Sequence, residues 1–142
     1  MVTNAIKKSF DHAKAKNWDC TFWAIDIHDT IVKANYKRGQ IPTEFYPHAK
    51  YVLKKLSERS DVKLILFTCS HQVEIDQYLK LFEENGIHFD YINENPEVKT
   101  DTDGYGNYDK KMYMNVLLDD KAGFDPEKDW RRIKSLLRKY PI

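Results

Sequence analysis

The sequence predicts a three-layer α/β fold built around a doubly wound parallel sheet. Its short apolar runs are continuous and do not alternate with polar residues, which is typical of strands that are buried on both faces. Segments with helical periodicity lie between these runs, and strands that alternate with helices favour a parallel sheet covered by helices. The chain length of 142 residues corresponds to one domain. We therefore expect residues 1–142 to form a single domain.

Four apolar runs mark the predicted strands. In chain order they cover residues 22–25, 64–67, 87–92 and 116–118, and the run over 87–92 is the weakest. Polar residues directly follow the other three runs: Asp26, Thr68, and the pair Asp119 and Asp120. The carboxyl ends of parallel strands share one edge of the sheet, and ligands bind at that edge.

Apolar residues at helical spacing predict four helices. Gly86 is expected to end the third helix. Asp125 is expected to cap the fourth, with Pro126 at its first position. The apolar positions that mark the four helices are Ile6, Phe10 and Ala13; Ala49, Val52, Leu53 and Leu56; Ile75, Tyr78, Leu79 and Phe82; and Trp130, Ile133, Leu137 and Tyr140.

Charge and composition exclude several classes of protein. The 23 Lys and Arg residues nearly balance the 22 Asp and Glu residues, which argues against a broad face for binding nucleic acid. Cys20 and Cys69 do not make a disulfide framework. No apolar segment approaches the roughly 18 residues of a membrane span, and residues 1–8 lack the apolar core of a signal peptide. We expect a cytoplasmic protein that binds neither nucleic acid nor membranes.

Residues 31–45 and 93–110 have no clear period. Long irregular segments in a compact domain are usually functional or mobile, and the first of these predicts a short flap near the site. A solvated basic loop is the favoured interpretation of the charges in the flap. The side chains there that could contact an anionic ligand are Lys33, Tyr36, Lys37 and Arg38.

The polar residues at the strand ends predict metal-assisted phosphoryl transfer. Two groups of carboxylates at neighbouring strand ends repel each other unless a cation lies between them, and oxygen ligands alone suit Mg²⁺. One carboxylate can then act as a nucleophile, while a hydroxyl and a lysine hold the other oxygens of a phosphoryl group. A receiver domain groups similar residues, but its acid pair ends the first strand, whereas the pair in this sequence ends the last.

Three motifs resemble those of the haloacid dehalogenase superfamily. Residues 22–30 form an apolar run followed by Asp-Ile-His-Asp-Thr, which is similar to the family's first motif, an apolar strand followed by Asp-x-Asp-x-Thr. Residues 64–68 resemble its second motif, an apolar strand ending in Ser or Thr. Residues 116–120 resemble its fourth, an apolar strand ending in paired acids. The resemblance implies a Rossmann-like fold, an aspartyl-enzyme intermediate and Mg²⁺ as the cofactor.

The resemblance also implies a set of metal ligands. Asp26 would attack phosphorus and would also bind Mg²⁺. The backbone carbonyl of His28 and the carboxylate of Asp119 would be the second and third ligands from the protein. Asp120 would bind the ion through water or orient the other ligands.

Phosphate binding would involve Thr68 and a lysine. In the family this lysine comes between the second and fourth motifs. Lys111 is the first choice, because it lies eight residues before Asp119 and just ahead of the last strand. Lys110 and Lys99 are the alternatives.

His28 stands where the family has its second aspartate, the usual general acid and base. Acid–base assistance of this kind typically contributes ~10²–10⁴ in rate. His28 could move the proton itself, the substrate could have a good leaving group, or the protein could bind a phosphorylated ligand and turn it over poorly. A purely structural role for His28 is about equally favoured. Asp29 would need an altered backbone path to replace the missing acid.

The leading hypothesis is a Mg²⁺-dependent phosphohydrolase that acts through a phospho-aspartate on Asp26. The alternative is a catalytically weak or inactive regulatory protein of the same fold that binds phosphate and metal. The gaps between the motifs are too short for a cap domain. The site would therefore be open to a phosphorylated small molecule or to an exposed phosphate on a larger substrate, or it would be closed by a second subunit of a homo-oligomer.

Overall fold

A parallel sheet forms the core of the fold, and the helices pack against one of its faces. The computed structural model describes residues 1–35, 37, 39–100 and 106–142. Within these ranges the strands have the order β3-β2-β1-β4, which confirms the predicted α/β fold and gives it a Rossmann-like topology. The elements are α1 (Val2–Lys16), β1 (Thr21–Ile25), α2 (Ala49–Ser57), β2 (Val62–Leu66), α3 (Gln72–Glu84), β3 (Tyr91–Ile92), β4 (Val116–Leu118), a 3-10 turn (Asp120–Ala122) and α4 (Asp129–Leu137).

β1 is the central strand and is buried along its whole length. It pairs in parallel with β2 on one side and with β4 on the other, so that Ile25 lies opposite both Leu66 and Leu118. All five residues of β1 are buried. A strand that is covered on both faces requires apolar side chains at consecutive positions, which explains the unbroken run in the sequence.

The two faces of the sheet pack against different parts of the chain. Trp23 and Ile25 belong to the larger apolar cluster, to which all four helices contribute. Phe22, Ala24 and Ile65 point to the opposite side, which we call the second face. The partly buried side chains packed on the second face are Cys20, Tyr91, Val98, Met112, Tyr113 and Met114. Irregular chain between β3 and β4 therefore supplies most of the covering layer on the second face.

β3 is shorter than the predicted run over 87–92. Only Tyr91–Ile92 pairs with β2. The Asp90 carboxylate accepts a hydrogen bond from the N–H of Leu64 (2.8 Å), and the Asp90 N–H donates to the carbonyl of Leu64 (2.8 Å). Because a side chain takes the place of a backbone acceptor here, regular pairing begins after Asp90. The prediction of strand over residues 87–90 is wrong for this reason.

α4 begins later than the sequence predicts. The expected cap at Asp125 and the helical position of Pro126 are wrong, because the helix starts at Asp129. The Asp125 carboxylate instead accepts from the N–H of Glu127 (3.1 Å), and the Asp125 N–H donates to the Asp129 carboxylate (2.7 Å). These two contacts form a turn ahead of the helix.

The flap is closed at its base by short-range pairing. The N–H of Lys33 donates to the carbonyl of Glu44 (2.9 Å), and the two side chains form an ion pair (3.1 Å). Lys33 therefore has a carboxylate partner within the flap. Tyr36 and Arg38, two of the predicted anion contacts, lie outside the described residues.

A buried hydrogen bond joins α4 to the loop that follows β1. Nε1 of Trp130 donates to the backbone carbonyl of Thr30 (2.7 Å), and both residues are fully buried. The Trp130 ring also packs edge-on against Phe124. Because Thr30 lies four residues after Asp26, this contact holds the loop at the polar end of β1.

Replacing Trp130 with Phe should lower the free energy of unfolding by about 2 kcal/mol, because the buried Thr30 carbonyl loses a donor and a small cavity forms. Urea unfolding followed by circular dichroism measures the loss. Trp18→Phe is the matched control, because Trp18 is 36% exposed. Equal losses in the two variants would contradict an anchoring role for Trp130.

Candidate functional site

Asp26 is the first residue beyond β1 and is half-buried. Its N–H donates to the carbonyl of Leu118 (2.9 Å), while the N–H of Phe67 donates to the carbonyl of Ile25 (2.9 Å). Backbone pairing thus continues on both sides of β1 up to the point where the strand ends. This pairing fixes a carboxylate at the carboxyl end of the central strand.

Three carboxylates meet at this edge of the sheet. Asp26, Asp119 and Asp120 each offer one oxygen atom, and these oxygens lie within 4.8 Å of one another. All three residues are half-buried. The pairing of Leu118 with Ile25 brings the acids after β4 alongside the acid after β1. The predicted meeting of these acids is confirmed, and the cluster is close enough to hold a metal ion.

A short turn that the sequence did not reveal fixes Asp119. The Asp119 carboxylate accepts from the N–H of Lys121 (2.9 Å) and caps the 3-10 turn Asp120–Ala122. The N–H of Phe124 also donates to the carbonyl of Asp119 (3.1 Å). The chain therefore turns tightly after β4 and keeps both acids of the pair close to Asp26.

Thr30 connects two of the acids through its hydroxyl group. The Oγ1 atom lies 3.3 Å from Oδ2 of Asp26 and 3.4 Å from Oδ1 of Asp120, and it accepts from the N–H of Asp120 at 3.0 Å. A hydroxyl has one proton, so it donates to one of the two carboxylates at a time. Sequence analysis placed Thr30 in a motif without assigning it a function. In the structure, its hydroxyl group connects Asp26 with Asp120.

Crowding of the acids changes the acidity of Asp26. Burial, the neighbouring charge of Asp119, and the hydrogen bond and charge of Asp120 together raise the pKa of Asp26 from 3.8 to about 7. A backbone hydrogen bond from Ile27 opposes this change. Near neutral pH the cluster therefore holds a proton on Asp26 for part of the time. A cation would displace that proton.

His28 is held by a buried tyrosine of α3. The Nε2 atom of His28 lies 2.6 Å from the hydroxyl oxygen of Tyr78, and the two rings pack edge to face. Burial, followed by the charge of Glu74, raises the pKa of Tyr78 to about 12, so its hydroxyl remains protonated at neutral pH. Sequence reasoning assigned Tyr78 only to the apolar stripe of a helix and missed this contact.

Asp29 has a local structural role and does not join the acidic cluster. Its backbone adopts a left-handed conformation (φ 58°). Its carboxylate accepts from the N–H of Ala34 (3.1 Å) and from the hydroxyl of Tyr46 (3.3 Å). Burial and the nearby Asp29 charge raise the pKa of Tyr46 to about 12. Asp29 therefore fixes the base of the flap.

Thr68 lies two residues beyond β2, where hydrogen bonds join it to Asn93, the residue after β3. Its N–H donates to Oδ1 of Asn93 (2.8 Å), and Nδ2 of Asn93 donates back to its carbonyl (2.8 Å). The Thr68 hydroxyl pairs with the Ser70 hydroxyl (2.9 Å) and accepts from the Ser70 N–H (3.1 Å). Within the described part of the chain, no hydrogen bond links Thr68 to the three acids. Its assignment to phosphate binding stays a prediction.

The candidate lysines lie on the irregular segment between β3 and β4. Lys99, Lys110 and Lys111 are exposed and line one open groove of about 590 Å³. Phe67 and Asn93, at the ends of β2 and β3, line the same groove. No ion pair joins these lysines to the acidic cluster among residues 1–35, 37, 39–100 and 106–142. The choice of Lys111 as the site lysine therefore also stays a prediction.

The fold is similar to that of a solved bacterial structure. A conserved protein of Bacteroides thetaiotaomicron superposes with a TM-score of 0.62 at 22% sequence identity, and the match covers 87% of this chain and 93% of that chain. No protein-family model and no curated protein matches the sequence. At this level of identity the similarity establishes the fold alone. None of the described helices is both long enough and apolar enough to cross a membrane.

Substituting Asp26 with Asn should stabilise the protein above neutral pH when divalent cations are chelated. The folded-state pKa of Asp26 lies above its ordinary value of 3.8, so folding takes up a proton between about pH 4 and pH 7. Parent stability should therefore fall as the pH rises through that window, and Asp26→Asn removes this loss. We expect a gain of about 1–2 kcal/mol at pH 8, after allowance for solvent screening, and a smaller gain at pH 5.

Urea unfolding in the presence of EDTA at both pH values measures the effect. Asp19→Asn is the control, because Asp19 is exposed and lies before β1. A gain that is the same at pH 5 and pH 8 would show that the pKa of Asp26 is not raised in the folded protein.

Proposed function

We propose that this chain is a Mg²⁺-dependent phosphohydrolase of the haloacid dehalogenase type that acts through a phospho-aspartate on Asp26. The cluster formed by Asp26, Asp119 and Asp120 is the observation that carries the proposal. The clustered acids follow the two strands whose motifs resemble the first and fourth motifs of that superfamily. The parallel sheet and the position of the cluster at its carboxyl edge support the same interpretation.

The donor set fits a hard divalent cation. All three side chains offer carboxylate oxygens, which are the ligands that Mg²⁺ prefers. Oxygens around one Mg²⁺ lie roughly 3–4 Å apart, given metal–oxygen distances of about 2.1 Å in an octahedron. The three acidic oxygens lie within 4.8 Å of one another, which is close to this spacing. Asp26, Asp119 and the backbone carbonyl of His28 would bind the ion, with Asp120 binding through water or orienting the ligands.

Asp26 performs the first chemical step in this proposal. A carboxylate oxygen of Asp26 forms a bond to phosphorus, and the bond between phosphorus and the ester oxygen of the substrate breaks. Water then attacks the phosphorus of the phospho-aspartate, which releases inorganic phosphate and restores the Asp26 carboxylate. When bound by these acids, Mg²⁺ would offset the negative charge of the phosphoryl group and of the carboxylates.

Phosphate binding and proton transfer in these steps involve further residues. Thr68 and Lys111 hold the phosphoryl oxygens, with Lys110 and Lys99 as alternative sources of the positive charge. His28 gives a proton to the departing alcohol oxygen and takes one from the attacking water. The contact between His28 and Tyr78 holds the imidazole in a defined orientation during both transfers.

The raised pKa of Asp26 limits the ionised nucleophile that is present at neutral pH. A protonated carboxyl group is a poor nucleophile, and Asp26 is partly protonated near pH 7 because of burial and the charge of Asp119. Binding of a divalent cation favours the ionised form of all three acids. A cation held by Asp26, Asp119 and Asp120 would therefore keep the Asp26 carboxylate ionised for attack.

The substrate class follows from the short gaps between the motifs. We infer a phosphorylated small molecule or an exposed phosphate on a larger molecule, since the sequence has no room for a cap domain over the site. Association into a homo-oligomer that closes the site is compatible with this proposal. Nucleic acid and membranes are not expected partners, given the near balance of charge and the absence of a long apolar segment in the sequence.

The contact between His28 and Tyr78 favours a second candidate function. In the superfamily an aspartate occupies the position of His28, and the Nε2 atom of His28 is already engaged with a buried hydroxyl group. If the imidazole cannot serve the leaving group, the chain would bind metal and phosphate without efficient turnover. A regulatory phosphate-binding protein of the same fold is therefore the alternative.

Phosphatase activity tests the first proposal directly. Parent protein with Mg²⁺ should release inorganic phosphate from members of a broad panel of phosphate esters, and Asp26→Asn should lower kcat by at least about 10³-fold, because the nucleophile is lost. Asp19→Asn should retain parent activity. Equal phosphate release by the parent and Asp26→Asn would contradict the proposed nucleophile.

The variant His28→Asp separates the two candidate functions. For an enzyme that uses His28, this variant should change the pH dependence of kcat, while His28→Ala should lower kcat by ~10²–10⁴-fold. For a binding protein, the parent should be as inactive as Asp26→Asn, and His28→Asp should gain Mg²⁺-dependent activity. Steady-state rates from pH 5 to pH 9 distinguish these results.

A further inference from the structure

Phe67 is an exposed aromatic residue directly beside the proposed nucleophile. It follows β2, is 36% exposed, and lies level with Asp26 because its N–H donates to the carbonyl of Ile25. Neighbouring strands lie about 4.8 Å apart, so the two backbones are close at this point.

Alternation along the strands places Phe67 and Asp26 on the same side of the sheet. Ile65 belongs to the second face, and Phe67 is two residues further along β2 and its extension. Ala24 also belongs to the second face, and Asp26 is two residues beyond it. Phe67, one residue beyond β2, thus extends the apolar second face towards the acidic cluster.

The groove next to Phe67 combines an apolar floor with a basic rim. Met112 and Met114 pack on the second face and line the groove together with Phe67. The rim carries Lys99, Lys110 and Lys111, which outnumber its two acids, Glu94 and Asp109. The volume of about 590 Å³ is typical of sites for small molecules.

These side chains suit an aromatic ring attached to an anion. Thioether sulfur and aromatic rings make favourable contacts with a flat ring, and ammonium groups attract both a phosphate and the face of a ring. A ring within a few bonds of a phosphorus atom at Asp26 would reach Phe67 on the neighbouring strand. An aliphatic alcohol of two carbons would leave Phe67 uncovered.

We propose that this groove, defined by Phe67, Met112 and Met114, binds the alcohol part of the substrate, and that this alcohol carries an aromatic ring. The inference rests on the proposed function, because it orients the phosphate towards Asp26. During the reaction the ring-bearing alcohol departs from phosphorus while it still contacts the groove. Phe67 thus determines specificity for the leaving group and takes no part in bond formation.

Two phosphate esters with similar leaving groups test the groove. Both 2-phenylethyl phosphate and ethyl phosphate are esters of primary alcohols, and they differ only by the ring. Parent protein should hydrolyse the phenylethyl ester with a kcat/KM roughly tenfold higher, which is the gain expected from partial burial of a ring. Phe67→Ala should bring the two esters to the same kcat/KM, and Phe67→Tyr should restore the preference.

Tyr51→Ala is the matched control for the loss of an exposed aromatic side chain. Tyr51 is 49% exposed and lies on α2, which packs on the helical side of the sheet. This variant should keep the parent preference for the phenylethyl ester. Equal hydrolysis of both esters by the parent, or a preference that survives in Phe67→Ala, would overturn the proposed groove while leaving the phosphohydrolase intact.

Methionine methyl groups report binding without any need for turnover. The chain has three methionines, and two of them, Met112 and Met114, line the groove, whereas Met1 is 77% exposed at the start of the chain. In Asp26→Asn labelled with ¹³C-methyl methionine, 2-phenylethyl phosphate with Mg²⁺ should shift the NMR signals of Met112 and Met114 and leave Met1 unchanged. Ethyl phosphate should shift neither signal appreciably.

The two experiments distinguish failure of the groove from failure of the proposed function. Absence of hydrolysis of either ester, together with selective shifts at Met112 and Met114, would overturn the enzyme and keep the groove as a binding site. Absence of any difference between the two esters in the methionine signals would overturn the groove, whether or not the esters are hydrolysed.

Discussion

Repulsion among three partly buried carboxylates is the constraint on which the candidate site depends. Asp26, Asp119 and Asp120 are held within 4.8 Å of one another, and burial removes much of the water that would screen their charges. The fold holds them in place because β1 and β4 stay paired to their ends. Thr30, anchored by the Trp130 hydrogen bond, braces two of the acids. Such a cluster opposes folding when it is fully ionised and favours folding when a cation is bound.

Packing on the two faces of the sheet explains how a small chain combines stability with an open site. The helices complete a large apolar cluster on one face, where Trp23 and Trp130 are fully buried. Irregular chain covers the opposite face and leaves Phe67 exposed beside the acids. The first face thus supplies most of the apolar burial that stabilises the fold. The second face can therefore carry residues such as Phe67 and Lys111, which we propose contact a ligand.

The central strands and their acids could be predicted from the sequence, because buried parallel strands leave a clear apolar pattern and Asp26 directly follows one of them. The start of β3 could not be predicted in this way. The Asp90 carboxylate takes the place of a backbone acceptor, and local sequence patterns do not reveal that replacement. The contact between His28 and Tyr78 joins residues fifty positions apart, so spacing within a motif carries no signal of it. Lys111 lies on irregular chain, where neither alternation nor helical periodicity indicates the direction of a side chain.

Proton release on metal binding tests the central claim most directly. Calorimetric titration of the parent with Mg²⁺ at pH 6, in two buffers of different ionisation enthalpy, measures the number of protons released for each ion bound. Because the pKa of Asp26 is raised to about 7, the parent should release about one proton at pH 6 and almost none at pH 8.5. Asp26→Asn should release none at either pH. Failure of Mg²⁺ to bind, or binding at pH 6 without proton release, would contradict a cation site built from these three carboxylates.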